Sequence, residues 1–238
     1  MRLFAIGDLH MSGGDDKPMD VFGPQWDRHF LRISETWRET VTGGDTVLIP
    51  GDISWAMQLE QALPDLQAIG SLPGRKILCK GNHDYWWSAL TRVRSVLPEG
   101  MTVLQHDAAE LENYVVCGTR GWLIPTGDTP LEPSDEKIYL RETQRLRMAV
   151  EAARKLCTSK PLVVMMHYPP LTAADRDNEF VRILEESGAE QVVYGHLHGE
   201  GIRAGFTGIH HGIRYRLVSC DSIGFAPVLI GESGKFNS

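Results

Sequence analysis

Five short apolar runs in this chain each end in a cluster of side chains able to bind a metal. The runs are LFAIG, TVLIP, KILC, LVVMM and QVVY. Behind them, directly or after one residue, come Asp8-Leu9-His10, Gly51-Asp52, Gly81-Asn82-His83-Asp84, His167 and Gly195-His196-Leu197-His198. Apolar runs of this length, rich in β-branched residues, read as buried strands. The polar clusters therefore lie where strands end and loops begin, the edge at which open α/β sheets bind ligands. One shared site follows from that placement, and its residue types point to metal chemistry.

A chain of 238 residues with 42% hydrophobic content suits a single globular domain, 1–238, with room for one insertion. The formal net charge of −7 does not advertise nucleic-acid binding, although a local basic patch keeps nucleic acid open as a partner. Cys79, Cys117, Cys157 and Cys220 form no C-x-x-C pair, which argues against a zinc ribbon. Cys79 and Cys117 sit in strand-like runs and read as buried free thiols, in keeping with a reducing, cytoplasmic setting. The first strand begins almost at the N-terminus, leaving no space for a cleaved leader. No stretch approaches the roughly twenty apolar residues of a membrane span. A soluble, cytoplasmic protein is expected.

Strands are expected at 2–7, 46–50, 75–80, 101–105, 111–118, 161–167, 191–195, 214–219 and 227–230. Helices are expected at 25–41, 55–70, 85–97, 135–157 and 177–187. In the first of them Trp26, Phe30, Ile33, Trp37 and Val41 share one face. Pro64 is expected to break the second or to start a new short helix, and Gly188 to cap the last. The alternation argues for a layered α/β domain, and the late strands without intervening helices for a mixed sheet or two packed sheets.

The candidate donors are Asp8, His10, Asp52, Asn82, His167, His196 and His198. If extended backbone persists there, Asp8 and His10 point the same way, as do His196 and His198. This nitrogen and oxygen set, without thiolate, suits Mn²⁺, Fe, Zn²⁺ or Co²⁺. Seven donors exceed an ordinary zinc site and suit two divalent ions sharing a carboxylate. Two such ions, less two carboxylates and a hydroxide, leave a charge of about +1, which attracts a phosphate ester.

The ordered series D-x-H, G-D, G-N-H-D, lone H and G-H-x-H resembles that of the calcineurin-like metallophosphoesterases, from residue 8 to residue 198. The resemblance implies an α/β fold with mixed sheets, a four-layer αββα sandwich of the metallo-dependent phosphatase type. It implies a phosphoesterase using two divalent metal ions, manganese foremost. Asp8, His10 and His198 match ligands of the first ion, Asn82, His167 and His196 those of the second, and Asp52 the bridging carboxylate. A metal-bridging hydroxide would attack phosphorus, and His83 would contact the phosphate and protonate the leaving oxygen, with Asp84 orienting its ring. The Gly51-Asp52-Ile53-Ser54 and Asp84 positions depart from G-D-x-V-D-R-G and G-N-H-E of the protein Ser/Thr phosphatases. The chain is more similar to the bacterial phosphodiesterase-type branch. A small phosphoester or nucleotide is the implied substrate. The competing function is a non-catalytic metal-binding scaffold or interaction protein on the same fold.

Weaker signals surround this set. Arg120 is a candidate to hold a phosphate oxygen, or else to form a structural ion pair. Trp86 and Trp87, after Tyr85, read as core anchors of the following helix rather than a stacking platform. The segment 122–158, with its long helix rich in Lys and Arg, is expected to be an insertion or lid. His29, His106, His210 and His211 read as polar-face or loop residues, with His210-His211 able to line the site from the C-terminal side.

Overall fold

Alternate residues of each apolar run face opposite sides of a sheet, and both sides are buried, which is why these strands read as unbroken hydrophobic sequence. A computed structural model of the chain describes residues 1–12, 19–127, 130–156 and 159–236. Cys157 and residues 128–129 of the expected insertion lie outside them.

Among the described residues, twelve strands form two six-stranded sheets. The first contains β1 (Arg2–Ala5), β2 (Thr46–Pro50), β3 (Arg75–Cys79), β4 (Met101–Leu104), β11 (Val228–Glu232) and β12 (Lys235–Phe236). Its order is β12-β11-β1-β2-β3-β4, with β1 to β4 parallel, β11 antiparallel to β1 and β12 antiparallel to β11. The second contains β5 (Ala108–Glu110), β6 (Val115–Thr119), β7 (Leu162–Met166), β8 (Gln191–Tyr194), β9 (Gly208–His210) and β10 (Ile213–Leu217). Its order is β5-β6-β7-β8-β10-β9, parallel from β6 to β10 with an antiparallel strand at each edge.

The sheets pack face to face through Leu3, Leu48, Ile77, Val116, Val163 and Val193. The outer side of the first sheet, with Phe4, Val47, Ile49 and Leu78, is covered by α1 (His29–Thr40), α2 (Leu59–Gly70) and α3 (Leu90–Val96). The outer side of the second, with Val115, Val164, Val192 and Tyr194, is covered by α4 (Pro133–Leu156) and α5 (Glu179–Ser187). The result is the four-layer αββα sandwich expected from the sequence. No described helix is long and apolar enough to cross a membrane.

Local differences have local causes. Pro64 lies inside α2 and does not break it. The only intrahelical bond it removes is to the carbonyl of Glu60, an exposed residue that water can serve. The strand expected at 111–118 begins only at Val115, as β6; residues 111–114 form the turn from β5, which lies before the expected range, and Leu111 N–H donates to Tyr114 O there. Gly188 caps α5 in the left-handed region at φ 71°. Trp86 and Trp87 are buried against the first sheet, as core anchors. Helix α4 sends Tyr139, Leu146, Ala149 and Val150 into the second outer core, so this segment forms part of the outer layer.

The turn into β2 supplies a stability prediction. The Asp45 carboxylate is buried and accepts hydrogen bonds from Arg2 N (3.0 Å), Arg2 Nη2 (2.7 Å), Thr42 N (2.9 Å) and Thr42 Oγ1 (2.8 Å). Burial alone raises its pKa, but these donors outweigh it and hold the carboxyl well below the usual carboxylate range. A depressed carboxylate pKa contributes stability that is present above the unfolded value and is lost as pH falls through the folded one. Asp45→Ala is expected to cost about 2 kcal/mol at pH 7. In urea denaturation the gap to the wild type should close as the pH drops below about 4. A gap that stays constant down to acid pH would refute the assignment.

Candidate metal centre

The C-terminal ends of β1, β2, β3, β7 and β8 converge on one edge of the sandwich, and hydrogen bonds tie their exits together. Asp8 N–H donates to Gly51 O and His10 N–H to Asp52 O, so the first two loops run side by side. Gly195 N–H donates to His167 O in the second sheet. The sheets join where Gly7 N–H meets Val218 O and Cys220 N–H meets Gly7 O. His196 N–H donates to both Asp8 carboxylate oxygens, at 3.0 and 3.1 Å.

Asp8 and His10 do not come together through extended backbone, as the two-residue spacing suggests. β1 stops at Ala5, and Asp8, His10, Asp52 and His196 have φ of 59°, 42°, 50° and 75°. This left-handed region costs a non-glycine residue about 1 kcal/mol. Four such residues in one site mark it as a place where backbone strain is held by its surroundings. Two glycines allow the loops to close. A Cβ on Gly81 would collide with the Asp52 backbone and carboxylate, and one on Gly195 with the Asp8 carboxylate.

All seven candidate donors are brought together, in two groups about Asp52. In one group His10 Nε2 lies 3.2 Å from His198 Nε2, and His198 Nε2 lies 3.5 Å from Asp8 Oδ1. In the other, His167 Nε2 and His196 Nδ1 lie 2.6 and 2.9 Å from Asn82 Oδ1 and 3.2 Å from each other. Asp52 Oδ2 reaches both groups, 3.7 Å from His10 Nε2 and 3.5 Å from His167 Nε2. Asp52 Oδ1 accepts the backbone N–H of His83 at 2.8 Å.

These donors fit a cation better than they fit one another. His167 Nδ1 lies 3.0 Å from the carbonyl of Pro50, so it carries the ring proton and Nε2 presents a lone pair. The atoms facing that lone pair, Asn82 Oδ1 and Asp52 Oδ2, are also acceptors. Burial holds His10, His167 and His196 neutral, His196 down to about 3, so none of these rings carries a second proton to offset the clustered acceptors. Burial also raises Asp52 well above the usual carboxylate range, and the nearby Asp84 and Asp8 charges push it further. His198 behaves oppositely: burial lowers it, but hydrogen bonds to Asp221 and Asp8 outweigh that and raise it to about 10. A proton on His198 thus takes the place a cation would fill. Asp8, His10 and His198, and likewise Asp8, Asp52 and His167, have ligand atoms close enough to share an ion.

Two neighbours differ from expectation. Asp84 does not touch the His83 ring. Its Oδ1 accepts from Ile53 N (2.9 Å), Ser54 N (3.2 Å) and Trp86 Nε1 (2.9 Å), and its Oδ2 from Gly81 N (2.7 Å). The buried carboxylate is consumed by pinning the loops that carry Asp52 and Asn82, so it is a positioning residue. His83 Nδ1 is buried with no partner, and the ring packs 4.3 Å from Trp55 and 5.8 Å from His10. Asp221 was not singled out in the sequence. Its Oδ1 lies 2.9 Å from His198 Nδ1 and its Oδ2 accepts Gly199 N–H at 3.0 Å, which orients His198 with Nε2 toward Asp8. The strand before it, Ile213–Leu217, alternates apolar residues with Arg214 and Arg216, so it lacks the unbroken apolar run that marked the other five.

The site opens into a cavity of about 400 Å³ lined by Met19, Phe22, Trp26, Trp55, His83 and His198, among others. Arg120 is not among those residues. Its Nη2 lies 3.5 Å from Glu142 Oε1, and its guanidinium stacks 4.4 Å from the Trp122 ring. His29 Nε2 lies 2.8 Å from Leu9 O and packs against Trp26, near the site. His210 and His211 lie before the N-terminal end of β10, at the opposite sheet edge, with Glu185.

Residues 1–200 match the calcineurin-like phosphoesterase family. Comparison with curated proteins gives no match. Among solved structures, a protein of unknown function from Aquifex aeolicus has 16% identity and a TM-score of 0.52, over 95% of this chain and 94% of its own. A phosphopantetheinyl hydrolase from Mycobacterium tuberculosis has 16% identity and a TM-score of 0.53, over 92% of this chain and 88% of its own. At these identities the two structures speak for the fold.

Proposed function

We propose that this chain, which belongs to the calcineurin-like phosphoesterase family, hydrolyses phosphomono- or phosphodiesters at a centre for two divalent metal ions. The observation that carries the reading is Asp52 Oδ2 standing between two donor groups, within 3.7 Å of a ring nitrogen from each. Asp8, His10 and His198 would hold one ion, Asn82, His167 and His196 the other, and Asp52 both. Manganese heads the candidates, with iron, zinc and cobalt also suited to this donor set. When bound, such ions supply Lewis acidity to a phosphoryl oxygen and a nucleophile from water at neutral pH.

The rest is done by the chain. Asp221 and the Pro50 carbonyl fix the tautomers of His198 and His167, so that their Nε2 lone pairs face the centre. Asp84 holds the Asp52 and Asn82 loops in register. His83 is anchored by its backbone to Asp52, while its ring lines the aromatic cavity. With Nδ1 buried, Nε2 is the nitrogen able to give a proton to the leaving oxygen. Trp26 and Trp55 wall the cavity and keep bulk water from the departing group. The described cysteines, Cys79, Cys117 and Cys220, are buried free thiols, which supports a reducing, cytoplasmic setting.

The test is turnover of bis(4-nitrophenyl) phosphate and 4-nitrophenyl phosphate by protein stripped with a chelator and then reloaded. Activity should vanish on stripping and return with Mn²⁺, and the ratio of the two esters reports diester against monoester preference. Folded protein that binds two metal ions yet turns over neither ester would favour the scaffold reading instead.

A further inference from the structure

A second cavity, of about 220 Å³ and sharing no lining residue with the aromatic one, has four cations in its wall. Lys80 enters it from the residue before the Gly81-Asn82 loop, and Arg120 from the end of β6. Arg141 and Arg145, one turn apart on α4, close it from the outer layer, with Trp87 and Ser88 between. It adjoins the Asn82 and His167 half of the centre: Asn82 is two residues from Lys80, and the Arg120 carbonyl accepts the N–H groups of His167 and Tyr168.

Among the described residues, the one carboxylate paired with these cations is the fully buried Glu142, and it is oversubscribed. Its Oε1 lies 2.7 Å from Arg145 Nη1, 3.5 Å from Arg120 Nη2 and 3.8 Å from Arg141 Nε, while Oε2 accepts the Thr119 hydroxyl at 2.7 Å. Only Arg145 is held at ion-pair hydrogen-bond distance. Among the described residues, Lys80 Nζ has one hydrogen-bond partner, the Trp87 carbonyl at 3.4 Å. Arg120 Nε is buried without a partner. Glu142 ties α4 to β6 through the Thr119 hydroxyl, and Arg145 answers its charge within the helix, which leaves Lys80, Arg120 and Arg141 short of negative charge. Cations that are partly buried and under-paired around a cavity are arranged for an anion from outside.

We propose that this cavity binds a second phosphate of the substrate, distinct from the phosphoryl group that is cleaved, so that the preferred esters carry two phosphates. The assignment of two groups to one substrate rests on the phosphoesterase reading; anion binding by the cavity does not. The ester would lie across the edge of the sandwich. Its reacting phosphorus would sit at the metal centre, its leaving group by His83 and its second phosphate among Lys80, Arg120 and Arg141.

The test compares two ligands that differ by one phosphate, thymidine 3′,5′-bisphosphate and thymidine 5′-monophosphate, by calorimetry on Mn²⁺-loaded protein. The bisphosphate should bind about 10-fold more tightly or better, the worth of one charge-assisted contact set. In Arg141→Ala, at a half-exposed helix position that tolerates truncation, and in Lys80→Gln, that advantage should fall below about 3-fold. Equal binding of the two ligands by the wild type would overturn the proposal, as would an advantage that survives both variants. In parallel, turnover of thymidine 5′-(4-nitrophenyl phosphate) is measured with and without a 3′-phosphate. If neither ester is cleaved while the calorimetric advantage and its loss in the variants persist, the cavity assignment stands and the hydrolytic reading falls. If both are cleaved at equal kcat/KM and bind equally, the reverse holds.

Discussion

Asp52→Asn removes most of the activity and, at the same time, stabilises the metal-free protein. Both effects come from one carboxylate. Its Oδ2 serves the His10 side and the His167 side together, and its Oδ1 holds the His83 backbone. Asparagine keeps the volume and one oxygen. It loses the charge that balances both ions, and turns an N–H₂ toward lone pairs meant for a cation. The lost transition-state stabilisation is about 4 kcal/mol, roughly a thousandfold in kcat, with weaker retention of at least one ion. Without metal the same charge is a burden, because it is buried beside Asp8 and Asp84 and its ionised form is strongly disfavoured. Replacing it with a neutral amide should raise metal-free stability by on the order of 2 kcal/mol. Denaturant unfolding in chelator and kcat in Mn²⁺ should thus move in opposite directions. A variant that keeps two tightly bound ions and wild-type turnover would sink the bridging role.

His83→Ala separates the proton donor from the metal ligands. Only the His83 backbone N–H contacts Asp52, and alanine retains it. The ring instead lines the cavity with Trp55 and His10. Metal content should therefore be unchanged. A positioned general acid is worth about 10²–10⁴-fold when the leaving oxygen needs a proton. Alkyl esters should lose a factor in that range, and nitrophenyl esters, whose leaving group departs as a stable anion, only about 10-fold or less. Equal losses on both would show that the ring binds phosphate without donating a proton.

The two effects rest on parts of the molecule that were legible in the sequence to different degrees. The strands around the centre were plain because both faces are buried, which writes them as unbroken apolar runs such as Val47–Ile49 and Val163–Met166. The edge strands β9 and β12 were not read, since Gly208–His210 and Lys235–Phe236 are too short and too mixed to show a period. Donor identity was legible, because each donor follows directly on such a run. Donor geometry was not: the left-handed turns at Asp8, His10, Asp52 and His196 are set by the hydrogen bonds between loops, which no spacing encodes. Asp84 shows the same limit. Its place beside His83 in the chain suggested contact with the ring, but four loop donors compete for its carboxylate and win. The cationic cavity assembles Lys80, Arg120, Arg141 and Arg145 from three separate segments, so only Arg120 and the basic character of α4 could be noticed beforehand.

Whether two ions sit about Asp52 decides the proposed chemistry, and anomalous diffraction from crystals grown with Mn²⁺ answers that directly. Two peaks are expected, one among Asp8, His10 and His198 and one among Asn82, His167 and His196, with Asp52 contacting both. A single peak, or manganese found only at Glu185, His210 and His211, would contradict the two-ion centre.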